Sequence, residues 1–387
     1  MGFLEGKTKL RRIHRWCKRH VEELRKYMPF PNGVPSVSTM SRMLSKTDED
    51  MVSLTITNWV GEIINTRGIH IAIDGKGLRA AARKVRDERT PYILNAIDTA
   101  SRLVIGQLAI QEKTNEMTAV PELLERMDIE GSTITIDAIG ATGNIMEGIH
   151  NNGGEFVLQI KKNCPALYEE LVALFEGLEK EKSSDQEAFQ KKYSGVYDEA
   201  VTEEKNRERY EHRRFQSYSD KEGMKAFQEE RPYVACVGRS EQVRILKVED
   251  GSGEDITPDL KDFLEEGSRK QPKPTSGDGL NDDIRCAGLI SSRVMGALDL
   301  MTYRRDHWAV ENSLHYVLDE TFGEDKCTVR LGKNNLSALR KCAYNITRLL
   351  QIMSPEERPY IPDVISDICD DYNVGAKMIF EAVSSFY

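Results

Sequence analysis

The chain has 387 residues, 39% hydrophobic and 30% charged, with a formal net charge of −9. That length supports two or three domains with a sizeable core. No apolar run reaches the ~18 residues of a membrane-crossing helix, and the basic N-terminus lacks the apolar centre of a secretion signal. Seven scattered cysteines without a CxxC pair argue for a reduced, cytoplasmic protein and against a zinc finger or disulfide framework.

The charge is uneven. Residues 1–46 carry eleven Lys and Arg against three Asp and Glu. A basic head on an acidic body can hold nucleic acid, because phosphate contacts are local. The first predicted helix covers 8–27, with Lys9, Arg12, Arg15, Arg19 and Lys26 on one face. Pro29 to Gly33 is a turn. Ser36 or Ser38 caps a short helix through Leu44, and a further helix runs from Asp48 to Ile64. From this region alone, a small helical bundle with a solvated basic face is favoured over a DNA-binding head.

From Gly68 the pattern becomes that of buried strands. Ile69 to Asp74, Tyr92 to Ile97 and Leu103 to Ile110 are strands, with Asp98 to Ser101 as a turn. Val120 to Met127 is a helix, Thr133 to Asp137 a strand, Gly143 to Asn151 a helix and Phe156 to Ile160 a strand. Three strands at hairpin spacing, then helix, strand, helix and strand, predict a mixed α/β sheet. Leu167 to Leu178 is helical. Val234–Val237 and Val243–Val248 are short strands, and 250–283, rich in Gly, Pro, Asp and Lys, is a mobile loop. Val294 to Phe322 is a long helix, Asn335 to Met353 a basic one carrying Arg340, Lys341 and Arg348, and Pro355, Pro359 and Pro362 precede a short C-terminal helical segment.

Asp74 and Asp137 each close an apolar strand, where α/β folds place their sites. Two such acids ionise together cheaply only around a cation, and hard oxygen ligands suit Mg²⁺ or Mn²⁺. A turn residue explains either acid alone equally well; two acids after two buried strands tilt the reading towards function. Glu311 lies mid-helix among Trp308, Leu314 and Leu318. On periodicity alone, a half-exposed glutamate paired with Arg304 or His307 is favoured there. His307, Glu311 and His315 recur every four residues, but the order is not HExxH, which disfavours zinc.

The stretch Arg305-Asp306-His307-Trp308-Ala309-Val310-Glu311-Asn312-Ser313-Leu314-His315-Tyr316-Val317-Leu318-Asp319 closely resembles the R-x-H-W-x-I-E-N-x-L-H-W-x-L-D signature of insertion-sequence transposases, in the branch of the H-repeat-associated proteins. Similarity continues through Phe322, Glu324-Asp325, Arg330 and Asn335 to Arg340. Ile73-Asp74-Gly75-Lys76 resembles the family's first-acid motif, Ile136-Asp137-Ala138 its second, Lys161-Lys162-Asn163 the following K-x-N-Q, and Phe30 to Ser36 its N-terminal associated region. Thr142 and Cys164 stand where the family has Gln, and His307 and Leu318 where a wider signature has Arg and Lys. The chain also starts later than the family's usual first helices.

The resemblance implies an RNase H-like catalytic core with a β-containing insertion and a helical N-terminal domain. The expected divisions are 1–66 for a basic DNA-binding domain shortened at its start, 67–162 for the first part of the core, 163–293 for the insertion, 294–353 for the second part of the core, and 354–387 for a tail. It further implies that Asp74, Asp137 and Glu311 hold two Mg²⁺ or Mn²⁺ ions, cleaving transposon ends in double-stranded DNA and joining them to target DNA. Lys161, Asn163, Arg305, His307, Trp308, Asn312, His315, Arg330 and Arg340 are its expected DNA contacts, although a core role is the favoured reading of Trp308. A homodimer on DNA, nucleoid-associated in a prokaryotic cytoplasm, completes the expectation. The alternatives are a decayed transposase that only binds DNA, and a nuclease on the same core.

Overall fold

The computed structural model describes residues 1–78, 92–110, 116–137, 142–162, 164–206, 209–246, 285–327, 329, 331–354, 360–371 and 379. The chain forms two compact units. One comprises Met1–Ile134, Asn151–Gly154 and Asp306–Tyr387; the other comprises Thr135–His150 and Glu155–Arg305. The expected loop 250–283, Asn163 and Arg330 lie outside the described residues.

The first unit opens with helices α1 (Leu10–Arg19), α2 (Val21–Leu24), α3 (Val37–Lys46) and α4 (Glu49–Ile63). The single helix expected over 8–27 is broken at His20, whose ψ of 26° leaves helical geometry. Ser36 caps α3 by accepting from the Thr39 N–H at 3.2 Å, and Asp48 caps α4 by accepting from the Met51 N–H at 3.0 Å, each satisfying an orphan first-turn donor.

Strands β1 (His70–Gly77), β2 (Tyr92–Asp98) and β3 (Val104–Ile110) pair antiparallel in the order β3-β2-β1. Both Asp98 carboxylate oxygens accept backbone N–H groups, from Ala100 and Ser101, and so fix the β2–β3 turn. After α5 (Glu116–Glu125), β4 (Thr133–Ile136) starts beside β1, with the Thr133 N–H on Ile69 O at 2.8 Å. The class is mixed α/β.

Helix α12 (Lys333–Met353) covers β3. Asn345 spans the strand's backbone, accepting from the Val104 N–H at 2.9 Å and donating to Val104 O at 2.8 Å. Ala72, Ile97, Val104, Leu314, Leu318, Leu336 and Tyr344 share one buried cluster with α13 (Ile361–Asp370). Two of the cations that make α12 a basic helix are inside: Arg340 is 2% exposed and Lys341 1%.

In the second unit, α6 (Gly143–Asn151) leads towards β5 (Glu155–Ile160), and the strand order is β5-β9-β8-β7-β6. These are β6 (Tyr197–Asn206), β7 (Arg209–Tyr218), β8 (Cys236–Leu246) and β9 (Arg285–Ser291). The two short strands expected near 234–248 are one continuous β8. The sequence reading assigned no strand to β9, which bridges β5 and β8. Among the described residues the helices are α7 (Pro165–Ser184), α8 (Gln186–Lys192), α9 (Lys225–Glu230) and α10 (Ala297–His307), and Leu300 and Met301 of α10 pack with Val157, Phe215 and Leu289.

Among the described residues no helix is long and apolar enough to cross a membrane. None of the seven cysteines is in a disulfide.

Candidate active site

Asp74 is not the last residue of its strand, as the apolar run suggested. β1 continues to Gly77, and Asp74 pairs across the ladder with Asn95 of β2. Cross-strand partners project to one face with Cβ atoms roughly 5 Å apart, so Asn95 belongs beside the acid. Its side chain is fully buried, and Oδ1 has no hydrogen-bond partner among the described residues. The amide nitrogen lies 3.3 Å from His315 Nε2, while His315 Nδ1 lies 3.5 Å from Asp74 Oδ2. If Asn95 donates to Nε2, the imidazole proton sits on Nδ1, facing the carboxylate. Burial, followed by the charges of Lys76 and Lys341, pushes His315 down to about 3. It is therefore a neutral neighbour of Asp74 at physiological pH.

Below this group is a buried polar network. The Lys76 ammonium, 9% exposed, donates to His315 O at 3.2 Å, meets Asp319 Oδ1 at 2.5 Å and lies 3.2 Å from Glu324 Oε2. Glu324 also accepts from the Ser337 hydroxyl at 2.6 Å. Burial alone would raise its pKa, but Lys341 and Lys76, with that hydroxyl, outweigh burial and hold it below the usual carboxylate range. Lys341 donates to Gln107 Oε1 at 2.9 Å, and burial draws it down to about 8.

The long helix expected over 294–322 is interrupted. After α10 come a π-helical turn, Val310–His315, and α11 (Tyr316–Glu320). The Tyr316 N–H reaches back five residues to Glu311 O. Such bulges arise where one extra residue enters a helix and are frequent at functional sites. Val310, Leu314 and Leu318 are buried and Glu311 is exposed, so the glutamate does not lie on the apolar face that straight α-helical spacing implied. Asn312 is exposed, and Trp308, expected in the core, is 43% exposed.

In the second unit Asp137 directly follows β4, as expected. Lys161, just beyond β5, donates to Oδ1 at 2.8 Å and Oδ2 at 3.2 Å. With its amide oxygen turned towards Arg304, Gln159 donates to Asp137 Oδ1 at 2.8 Å and accepts from Arg304 Nη2 and Nε, each at 3.1 Å. Arg304 also donates to the Ser240 hydroxyl and lies over the Phe215 ring, 5.6 Å from its centroid. Burial draws its guanidinium down to about 10 against the pull of Asp137, which leaves it cationic at neutral pH. Arg305 is half exposed and paired with Glu204 at 3.0 Å.

Arg340 corrects an expectation. It is buried over the Phe3 ring, 5.3 Å from the centroid, and is not a surface cation available to DNA. Gln159, Arg304, Asn95 and Lys76 were not singled out as site residues. Lys76 stands within the first-acid motif, whereas nothing in local sequence ties Arg304 to Asp137.

Among the described residues no group of three or more His, Cys, Asp or Glu side chains stands ready to hold a metal. The individual donors nevertheless suit a hard divalent cation. Asp137 already embraces an ammonium with both oxygens, and an orphan amide oxygen lies next to Asp74.

The fold is mixed α/β, with one acid on β1, another directly after β4 and a third on the π-helical turn. The chain belongs to the family described as "Transposase DDE domain", which matches residues 65–346, and residues 1–60 match the region described as "DDE_Tnp_1-associated". It is 29% identical over 357 residues to "Putative protein YbfL" of Escherichia coli K12, covering 89% of this chain and 82% of that one. It is also 29% identical over 345 residues to that strain's "H repeat-associated putative transposase YhhI", covering 86% and 79%. The strain's "H repeat-associated putative transposase YbfD" is 35% identical over 152 residues, 39% of this chain and 60% of that protein.

Proposed function

We propose that this DDE transposase cleaves DNA at transposon ends and transfers the freed 3′-OH to target DNA, with Asp74, Asp137 and Glu311 holding two Mg²⁺ or Mn²⁺ ions. The observation that carries the reading is the coincidence of the family match with an acid on β1, one after β4 and one on the π-helical turn. A divalent pair in such a site supplies activation of the attacking oxygen and charge stabilisation at the leaving one.

The chain's own groups do the rest. The carboxylates fix position. Neutral His315 lies 3.5 Å from Asp74 without adding a charge. Lys161, exchanging Asp137 for a phosphate, would neutralise the DNA backbone together with Arg305. His307, Trp308 and Asn312 lie in the same signature as Glu311, and exposed Trp308 is available to stack on an unpaired base. Asn163 and Arg330 are further proposed DNA contacts, and synapsis of two ends calls for a homodimer.

The test is nicking of a supercoiled plasmid carrying the DNA that flanks the gene, in Mn²⁺ and in EDTA, beside Asp137→Ala. Nicking that needs both the metal and Asp137 is expected. Equal nicking by the variant would remove the assignment, and DNA binding without nicking would favour a decayed, binding-only protein.

A further inference from the structure

Asp137 is held by a relay that begins on a different element. An amide such as Gln159 can present either its oxygen or its nitrogen to a neighbour, and the two choices have opposite effects on a carboxylate. Arg304 removes the ambiguity. A guanidinium offers only donors, and its Nε and Nη2 both point at Gln159 Oε1, each at 3.1 Å. The amide is therefore pinned with its NH₂ group towards Asp137 Oδ1, at 2.8 Å. Arg304 is itself fixed by the Ser240 hydroxyl on β8 and by the Phe215 ring on β7. Its planar fork loses less freedom on being fixed than a lysine would. Half-exposed Lys161 also lies on this oxygen, at 2.8 Å, as a competitor for the carboxylate, and the pinned amide sets the carboxylate's rotation.

We propose that Gln159 and Arg304 are positioning residues for Asp137: the Arg304 fork holds the Gln159 amide as a donor, and that donor orients the carboxylate from which Asp137 takes its metal ion. The inference rests on Asp137 being a metal ligand. Neither residue touches DNA or metal in this scheme. Partners that orient a ligand in this way change metal affinity by roughly 10- to 100-fold when removed.

The experiment is Mn²⁺ binding to the full chain, read as loss of the free-ion electron paramagnetic resonance signal, with no DNA present. It compares wild type, Asp137→Ala, Gln159→Met, Arg304→Met and Arg304→Lys. Gln159→Met keeps the side chain's length and removes all three hydrogen bonds, the one to Asp137 and the two from Arg304. It is expected to weaken the Mn²⁺ site about tenfold with an unchanged circular dichroism spectrum. Arg304→Met should match it, and Arg304→Lys, which keeps the charge and loses the fork, should recover part of the loss. If Arg304→Met does not fold, Gln159→Met decides. Wild-type affinity in Gln159→Met, alongside a weakened Asp137→Ala, overturns the relay and leaves the metal-ligand reading standing. Wild-type affinity in Asp137→Ala overturns the metal-ligand reading itself, and the relay with it.

Discussion

Replacing Lys76 by methionine tests whether the charges beneath Asp74 are a compensated set. The ammonium is 9% exposed and serves Asp319, Glu324 and the His315 carbonyl. Asp319 retains access to water, so its loss counts for little. Glu324 is 3% exposed and has no such escape. Removing one member of a buried ion pair costs roughly 3–5 kcal/mol, because the other charge is left uncompensated. Here Ser337 and the charge of Lys341 stay with Glu324, which places the loss near the lower end, about 3 kcal/mol. The chain's three tryptophans, Trp16, Trp59 and Trp308, all fall in the first unit, so urea denaturation followed by tryptophan fluorescence reports on the unit concerned. The midpoint should fall with little change in slope. Glu324→Gln in the Lys76→Met background should recover part of the loss, giving a coupling of roughly 0.5–3 kcal/mol. The linkage has a definite sign. Glu324's folded pKa lies below its unfolded value, so its contribution is present above the ordinary glutamate range and is lost as pH falls towards the folded value. Lys76→Met should shrink that acid-side loss. A destabilisation under about 1 kcal/mol, or strictly additive single variants, would refute the reasoning.

Four further outcomes follow from the same geometry. Arg340→Ala should destabilise the first unit by roughly 2–4 kcal/mol and leave the salt dependence of DNA binding unchanged, since the residue is buried; a fall of about one in the salt slope would return it to the DNA surface. His70 is pushed down to about 3 by burial and then by His307. The unfolded chain therefore binds more protons between pH 6.5 and about 3, and stability should drop across that window by up to about 1.4 kcal/mol per unit; an unchanged pH–stability curve in His70→Gln would contradict this. Lys161→Met should tighten Mn²⁺ binding by up to about fivefold, because an exposed pair worth under roughly 1 kcal/mol no longer competes for Asp137; weaker binding would make Lys161 an orienting group. Trp308→Ala should change stability by less than about 0.5 kcal/mol while lowering affinity for DNA ends with unpaired bases; a large stability loss with unaltered affinity would make it a packing residue.

Elements whose signals are local were legible in the sequence. Ser36 and Asp48 cap their helices, Asp98 turns the β2–β3 hairpin, and the apolar runs at 69–74, 92–97 and 133–137 are strands. The acids were visible because each follows or interrupts such a run, and the Glu311 block because its signature is long. What escaped depends on tertiary partners. β9 falls between the expected loop 250–283 and the helix expected from Val294, where no strand was expected, yet its Ala287, Leu289 and Ile290 are buried between β5 and β8. Arg340 was expected at the DNA, on a basic helix, because charge says nothing about which neighbours can compensate it. Asp74 seemed to end its strand because Gly75 and Lys76 are poor strand formers; pairing with Leu94 and Ile93 overrides that preference. The departure at Leu318 is intelligible, because Leu318 fills the core.

The π turn at 310–315 has a consequence for insertions and deletions. An α-helix closes each hydrogen-bonded ring after four residues, and here the Tyr316 N–H closes one after five. The segment thus carries one residue more than an uninterrupted helix of the same rise could hold. Removing a single residue between Val310 and His315 would let the helix heal into continuous α geometry, an uncommon case of a shortened chain gaining regular structure. The healed helix could keep Leu314 and Leu318 in the core only by turning Glu311 through roughly 100°, one residue's rotation at 3.6 per turn. A length change that the fold tolerates would therefore redirect the acid, and spacing across this stretch would be guarded by chemistry more strictly than by stability.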